Sequence, residues 1–436
     1  MNKKKILSAM LAATMAFSLS GCGANGEKEK NVPEKSKYKS ENLLDGLQVA
    51  YDPPKKIDSD VNAGVIDFSI NLFKTGVLDT VKNGGNAMVS PESVLFALGM
   101  TANGANGETL KEMENVLCPG YDISKINDYC YAILDKRRAG EKANISVANS
   151  IWINNSLSDV SVSEDFLKTD KAYYDADVFK SSFDDNTLKD INSWVNDNTD
   201  GMIKDIMNRI SSDDVMYLIN AVAFDAKWEK QYEDNGESVK DDIDFTNFDQ
   251  SVAKVTMLYS TESGFMSNEN CKAFVKPYEG GQYGFMGILP NEGIELNDFI
   301  SGMNKDWFLE LYNSMDSEYE VYTGIPEFTS DYSMSMSDVM KAMGMEQAFD
   351  PDNADFTNMI TSSDDNVFID EVLHKTHIEV DSNGTKAAAA TVVVMSKDTG
   401  PVREKIESVV LDRPFVYAIV DIETGMPLFI GAINSL

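Results

Sequence analysis

Two histidines, His374 and His377, and four cysteines, Cys22, Cys118, Cys130 and Cys271, are the whole supply of imidazoles and thiols in 436 residues. These side chains most often serve as general base, soft metal ligand or thiol nucleophile near neutral pH, so the catalytic options are few. The histidines stand three positions apart; on a strand they face opposite sides of the sheet and do not share a metal. The cysteines form no C-x-x-C pair, and those after Cys22 read as three buried thiols. No G-x-S-x-G, H-E-x-x-H or G-x-x-x-x-G-K-[ST] pattern occurs, which leaves an α/β-hydrolase serine, a zinc site and a phosphate loop without their residues. Asp350-Pro351-Asp352-Asn353 lacks the glycine and closing glutamate of a calcium loop and reads as a turn. No catalytic residue, metal or cofactor is expected, and the chain does not read as an enzyme.

The unusual segment is Glu379 to Pro401. Ala387–Ala390 favour helix, yet Thr391-Val392-Val393-Val394 follow directly and favour strand. Such a conflict marks a segment able to occupy different conformations. On a strand, Thr385, Ala387, Ala389, Thr391, Val393 and Met395 share one face; Lys386, Ala388, Ala390, Val392, Val394 and Ser396 share the other. No charge appears between Lys386 and Lys397, so the segment can enter a sheet as a central strand at little cost. At about 3.3 Å per residue, twelve residues carry an attached object roughly 40 Å. A plain buried strand that never moves fits the same composition.

The elements around this segment fit one large α+β body. Asp67–Val81 and Pro91–Leu117 have helical spacing, with Ser90 as cap and Pro91 at the first position of the second. Ile191–Met207 reads as a helix broken near Gly201. Strands are expected at Ile145–Ile153, Met216–Phe224, Ala273–Val275, Phe285–Leu289, Val367–Ile369, Pro414–Val420 and Leu428–Ile433. Seventy-one acidic against 38 basic residues give a formal charge of −33, a surface that repels nucleic acid and anionic membrane and that keeps the chain soluble or steers it to a basic partner.

The N-terminus sets Lys3-Lys4-Lys5 before an apolar run and ends Leu19-Ser20-Gly21-Cys22, which resembles a bacterial lipoprotein signal with Cys22 as the lipidated residue. Residues 1–21 are then the signal, 22–56 a lipidated tether poor in apolar side chains, and 57–436 the body. The expected location is outside the cytoplasmic membrane, held by the acyl anchor or released.

Glu379–Thr391 resembles the hinge of inhibitory serpins: an acidic turn, Gly-Thr, alanines and another Thr. Asn86–Ser93, Gly104–Thr109, Ala148-Asn149-Ser150-Ile151-Trp152, Ile191-Asn192-Ser193-Trp194-Val195, Leu218-Ile219-Asn220-Ala221, Ile325-Pro326-Glu327-Phe328, Arg413-Pro414-Phe415 and Pro427–Gly431 follow the family order. The resemblance implies three β-sheets, eight or nine helices and an exposed reactive loop. It also implies suicide inhibition: a serine or cysteine protease cleaves the loop as an acyl-enzyme, the loop inserts into the main sheet, and the protease is carried off distorted in a covalent complex with a monomeric inhibitor. Gly384, Thr385, Ala387, Ala388, Ala389, Ala390 and Thr391 then form the hinge, with Gly384 supplying freedom in φ. Ser90, Ser93, Asn220 and His374 match the "shutter", and Trp228 the "breach" where the loop enters. Ser382, Asn383 and Lys386 depart from the family pattern, and an ion pair at the hinge is expected to be missing. The family spacing puts the reactive bond at Asp398–Thr399, with Lys397, Met395 or Val394 as alternatives. A non-inhibitory serpin acting as a binding protein predicts bulky, charged or proline residues in the hinge, which Ala387–Ala390 do not show. A transporter's substrate-binding lipoprotein predicts two α/β lobes that the pattern lacks.

Overall fold

Val61, Val65, Phe68, Leu72 and their neighbours bury one side of a helix, and Asp58 starts it by accepting from the Asp60 and Val61 amides. This is α1 (Ser59–Lys82) in a computed structural model that describes residues 37–49, 56–138, 144–156, 161–233, 237–361, 366–385 and 405–436. A two-residue strand β1 (Glu41–Asn42) precedes it; after it come β2 (Ala87–Val89), α2 (Pro91–Ala102), α3 (Gly107–Leu117) and α4 (Ile123–Arg138). Then follow β3 (Asn144–Asn154), β4 (Ser161–Val162), α5 (Glu164–Tyr173), β5 (Asp177–Ser181), α6 (Asp185–Asn198) and β6 (Met216–Lys227). The middle of the chain is β7 (Val239–Thr246), β8 (Val252–Ser267), β9 (Cys271–Pro277), β10 (Tyr283–Pro290), α7 (Leu296–Gly302) and α8 (Lys305–Asn313). The last part is β11 (Asp316–Pro326), β12 (Phe328–Ser335), α9 (Ser337–Ala342), β13 (Ile360–Thr361), β14 (Glu371–Val380), β15 (Gly384–Thr385), β16 (Lys405–Val410), β17 (Phe415–Asp421) and β18 (Pro427–Ile433).

Among the described residues there are three sheets and nine α-helices, the α+β arrangement expected. One sheet has seven strands in the order β1-β5-β3-β6-β15-β14-β12. The second has nine and is joined through the long β8, which pairs with β7 and β11 along most of its length and with β9 at Phe265–Ser267. The third is the two-stranded pair β4–β13. Helix α1 packs on β2 and β18 and α2 on β18, β6 and β3, and the largest buried cluster joins Phe68, Phe73, Phe96, Leu98 and Ile151.

Several elements differ from the sequence reading. Pro91–Leu117 is two helices, because Asn103–Asn106 turns away: a Cβ at Gly104 would lie 2.4 Å from the Met359 Cβ, and the Asn106 amide donates to the Asp355 carbonyl. Ser90 stands at the cap position but makes no capping bond; its hydroxyl donates to the Leu428 carbonyl at 2.7 Å. After Asn198 the chain leaves helix altogether, and Asn192 Oδ1 accepts the Ile206 and Met207 amides. Val367–Ile369 is not a strand; Val367 and Ile369 are buried, but the Ile369 amide donates to Ala348, outside any sheet. The tether read over 22–56 gives residues 38–48 to the body: β1 pairs with β5, Leu44 is buried, and Tyr38 packs edge-on against Phe179. The few apolar residues there, Tyr38, Leu43, Leu44 and Leu47, suffice for docking on a ready-made sheet edge. Asp350 does head a turn, accepting from the Asp352 amide.

Candidate functional site

The site is the seam between β6 and β14. From Tyr217/Glu371 to Ala223/His377 the two strands pair directly and in parallel. Beyond that they part, and Gly384–Thr385 lies between them, antiparallel to both: Gly384 opposite Lys227, Thr385 opposite Ala226 and Val380. Thr385, expected in the hinge, is therefore already seated between the two strands; it is fully buried, and its hydroxyl shares a 2.6 Å hydrogen bond with the Tyr278 hydroxyl. Gly384 is needed for a different reason from the one expected. A Cβ there would sit 2.1 Å from the Ala226 carbonyl oxygen, so close backbone approach, and not a positive φ, excludes a side chain. Ala387, Ala388, Ala389, Ala390, Thr391, the Asp398–Thr399 bond, Lys397, Met395 and Cys22 lie outside the described residues.

The turn that feeds Gly384 inward is fastened by Trp228. Its indole N–H donates to the Asp381 carbonyl at 2.8 Å and its amide to the Asn383 carbonyl at 3.0 Å. The ring stacks on Tyr278, with centroids 4.6 Å apart and planes 9° apart. Lys276 also reaches over Trp228 and Tyr232 and pairs with Glu262 at 2.7 Å, both charges buried. Burial pushes the Lys276 ammonium down from its ordinary range, and Glu262 counters this. Ser382 and Asn383 have no charge to pair; the Ser382 amide donates to Glu327 Oε1 at 3.2 Å, and the Ser382 carbonyl accepts from the Tyr232 amide. Burial pushes the Glu327 carboxyl up; Ser382 opposes that, and Asp381, Asp241 and Glu379 reinforce it.

Where the strands pair directly, the structure brings Ser90, Ser93, Asn220 and His374 together. His374 Nε2 accepts the Ser90 amide at 3.1 Å, so Nε2 is unprotonated and Nδ1–H donates to Asn220 Oδ1 at 2.5 Å. The Asn220 amide group then donates to Ser93 and to Asn149 Oδ1, the latter at 2.5 Å. Burial drives the imidazole pKa down to about 3. Protonating Nε2 would also set two N–H groups against each other. His377, on the opposite face as expected, bonds Asp331 at 2.7 Å. At the closed end, Asp370 accepts the Val215 and Met216 amides at 2.5 and 2.9 Å, clamping β14 to β6.

Asn149, Tyr278, Glu327 and Asp370 were not singled out as site residues. Asn149 stands in a quoted motif and directly opposite Asn220 in the β3–β6 ladder, a register visible only once the strands pair. Cys118, Cys130 and Cys271 are buried free thiols, and burial pushes Cys118 and Cys271 up to about 12. Among the described residues no group of three or more His, Cys, Asp or Glu side chains is placed to hold a metal.

The seam thus parts at one end around Gly384–Thr385 and is closed by direct pairing along the rest. The profile described as serpin (serine protease inhibitor) matches residues 63–436. The chain belongs to the serpin family. It is similar to the thermophilic serpin tengpin in its native state, with 40% identity, a TM-score of 0.83, and 91% of this chain and 100% of that one covered. An uncharacterized serpin-like protein of Thermococcus kodakarensis is 31% identical, with 85% of this chain and 84% of that protein covered. Human thyroxine-binding globulin, at 21% identity and a TM-score of 0.74 over 87% of this chain and 99% of its own, shares the fold.

Proposed function

We propose that this chain is a suicide inhibitor of serine proteases, and that the carrying observation is Gly384–Thr385 seated as the first residues of a strand between β6 and β14. The protease serine attacks the carbonyl of the reactive bond, here Asp398–Thr399; the acyl-enzyme forms on Asp398 and Thr399 leaves as the new amine. Extending β15 then breaks the direct ladder at Tyr217–Ala223 and replaces it with one ladder on each side of the new strand. Each added backbone hydrogen bond contributes about 1 kcal/mol net, so insertion runs downhill once cleavage frees the loop. Ala387–Ala390 pass the seam without bulk, and the cluster of Ser90, Ser93, Asn220 and His374 is the lock that opens as they pass. Trp228 guards the entry. Asp398 before the bond suits an acid-preferring protease; Lys397 suits a trypsin-like one and Met395 an elastase-like one.

The test is incubation of the full chain with serine and cysteine proteases at near-equal amounts. An SDS-stable complex is expected, with the released C-terminal peptide starting at the residue after the reactive bond. Cleavage of the loop by every protease without loss of protease activity sinks the reading and leaves a binding protein. Thr385→Arg must turn the inhibitor into a substrate, because an arginine has no room where Thr385 is fully buried. We also propose export and lipidation at Cys22, checked by the loss of metabolic palmitate labelling in Cys22→Ala.

A further inference from the structure

Asn25, Asn83, Asn103, Asn106, Asn235 and Asn383 are each followed by glycine, whose missing Cβ lets its amide nitrogen approach the preceding side-chain carbonyl carbon. Asn25 and Asn235 lie outside the described residues. At Asn83 the side-chain amide donates to the Asp79 carbonyl at 2.7 Å and the Gly84 N–H to the Val81 carbonyl at 2.9 Å. At Asn103 the side-chain amide donates to the Gly99 carbonyl and Asn127 Oδ1, both at 3.1 Å, and the Gly104 N–H to the Thr101 carbonyl at 2.9 Å. A carbonyl is no base for an amide proton. Asn106 donates its side-chain amide to Asp355 Oδ2 at 3.3 Å, but the other oxygen of Asp355 is taken by the Thr357 amide and hydroxyl. At Asn383 one carboxylate touches both groups: Asp381 Oδ1 accepts the Gly384 N–H at 3.0 Å, and Oδ2 accepts the Asn383 side-chain amide at 3.4 Å.

We propose that Asn383 is a self-modifying position, where Asp381 drives loss of the side-chain ammonia and so ages the hinge. Asp381 takes the Gly384 amide proton, and the freed nitrogen bonds to Asn383 Cγ. The bond from Cγ to Nδ2 breaks, the proton passes from Asp381 to Nδ2, and ammonia leaves behind a closed imide. Water opens the imide at either carbonyl and leaves aspartate or isoaspartate. The held turn keeps nucleophile, base and leaving group together, which an unfolded chain does only in passing. Isoaspartate adds an atom to the main chain between residue 383 and Gly384. Gly384 has no slack to absorb it, since a Cβ there would already lie 2.1 Å from the Ala226 carbonyl oxygen. The former Asn383 carbonyl, which accepts the Trp228 amide at 3.0 Å, becomes a carboxylate beside Asp381 and Glu327. Thr385 is then pulled from its bond to Tyr278.

The test ages the full chain in mildly alkaline buffer at body temperature, native and in urea, and follows each Asn-Gly peptide by mass spectrometry and isoaspartyl methyltransferase labelling. In the native chain Asn383 should exchange NH2 for OH at least about tenfold faster than Asn83, Asn103 or Asn106, and faster than it does itself in urea. Asp381→Asn should slow the native conversion about tenfold and leave the rate in urea within about twofold. Conversion at Asn383 no faster in the native chain than in urea overturns the proposal; that ratio is read on the parent alone and holds even if the variant does not fold. An unchanged native rate in folded Asp381→Asn also overturns it. Aged parent should melt at a lower temperature than fresh parent, while aged Asn383→Gln should match its own fresh sample. Conversion without a fall in Tm overturns the unseating of Thr385. Loss of trapping on ageing is expected as well, and that arm alone rests on the inhibitory reading. If Asn383 converts but neither fresh nor aged parent traps a protease, the modification stands and the inhibitory reading falls.

Discussion

His374 and Asp170 are both held neutral by burial, and they respond to pH in opposite directions. The folded His374 pKa of about 3 lies below its unfolded value near 6.5, so its contribution is complete above pH 6.5 and is lost as pH falls toward 3. The linkage amounts to at most about 5 kcal/mol. Asp170, on α5, is fully buried with neither carboxylate oxygen hydrogen-bonded, and burial pushes its pKa well up. The folded state keeps that proton while the unfolded chain gives it up above about pH 3.9, so Asp170 costs stability increasingly as pH rises. The difference in Tm between the parent and His374→Gln should therefore narrow on acidification from pH 7 to 4, measured by thermal melts. Asp170→Asn should gain most at pH 8 and least at pH 4. Flat differences across that range would remove the neutral-histidine and neutral-aspartate assignments.

Among the elements, the seam is closed at one end by Asp370 and open at the other around Thr385. The two amide bonds accepted by Asp370 exist only while β14 lies against β6. They stabilise the closed sheet and not one filled by a new strand. Each charge-assisted bond contributes roughly 1.5–3 kcal/mol. Asp370→Ala should hasten spontaneous loop insertion by at least about tenfold, seen as loss of inhibition with a rise in Tm during warm incubation; an unchanged rate would assign the clamp to stability alone. Element types were legible where local pattern decided them: β6, β10 and β18 carry their apolar runs almost unbroken. Failures came where a distant contact decided. Met359 against Gly104 splits a helix that periodicity joins, and Ala348 takes the Ile369 amide from a run with strand composition. The site followed the same division. Motif order singled out Ser90, Ser93, Asn220, His374 and Trp228, and the structure brings the first four into one hydrogen-bonded cluster. The Tyr278 hydroxyl and Asp370 carboxylate act across 107 and 155 residues of chain, beyond any local pattern.

At the scale of the whole molecule the two large sheets differ in how their inner strands pair. In the nine-stranded sheet the inner strands β10, β17 and β18 pair along nearly their full lengths. In the seven-stranded sheet the described part of β15 is two residues long, between partners of twelve and ten. Beyond Thr385 the seam is closed by the direct ladder of Tyr217–Ala223 with Glu371–His377, and the sequence 386–396 is small or apolar with no charge after Lys386. A free peptide with the sequence of residues 386–396 should therefore part that ladder and insert between β6 and β14 in the intact chain. The filled chain should melt at a higher temperature, because a completed ladder adds backbone hydrogen bonds on both edges of the new strand. It should also lose trapping while still being cleaved, since the loop no longer has a place to go. A scrambled peptide with Asp at alternate alanines should do neither, because burying those carboxylates unpaired costs several kcal/mol. If the native-sequence peptide leaves both Tm and trapping unchanged, the sheet is not poised to accept a strand, and the seam at Gly384–Thr385 is only a structural anchor for the loop.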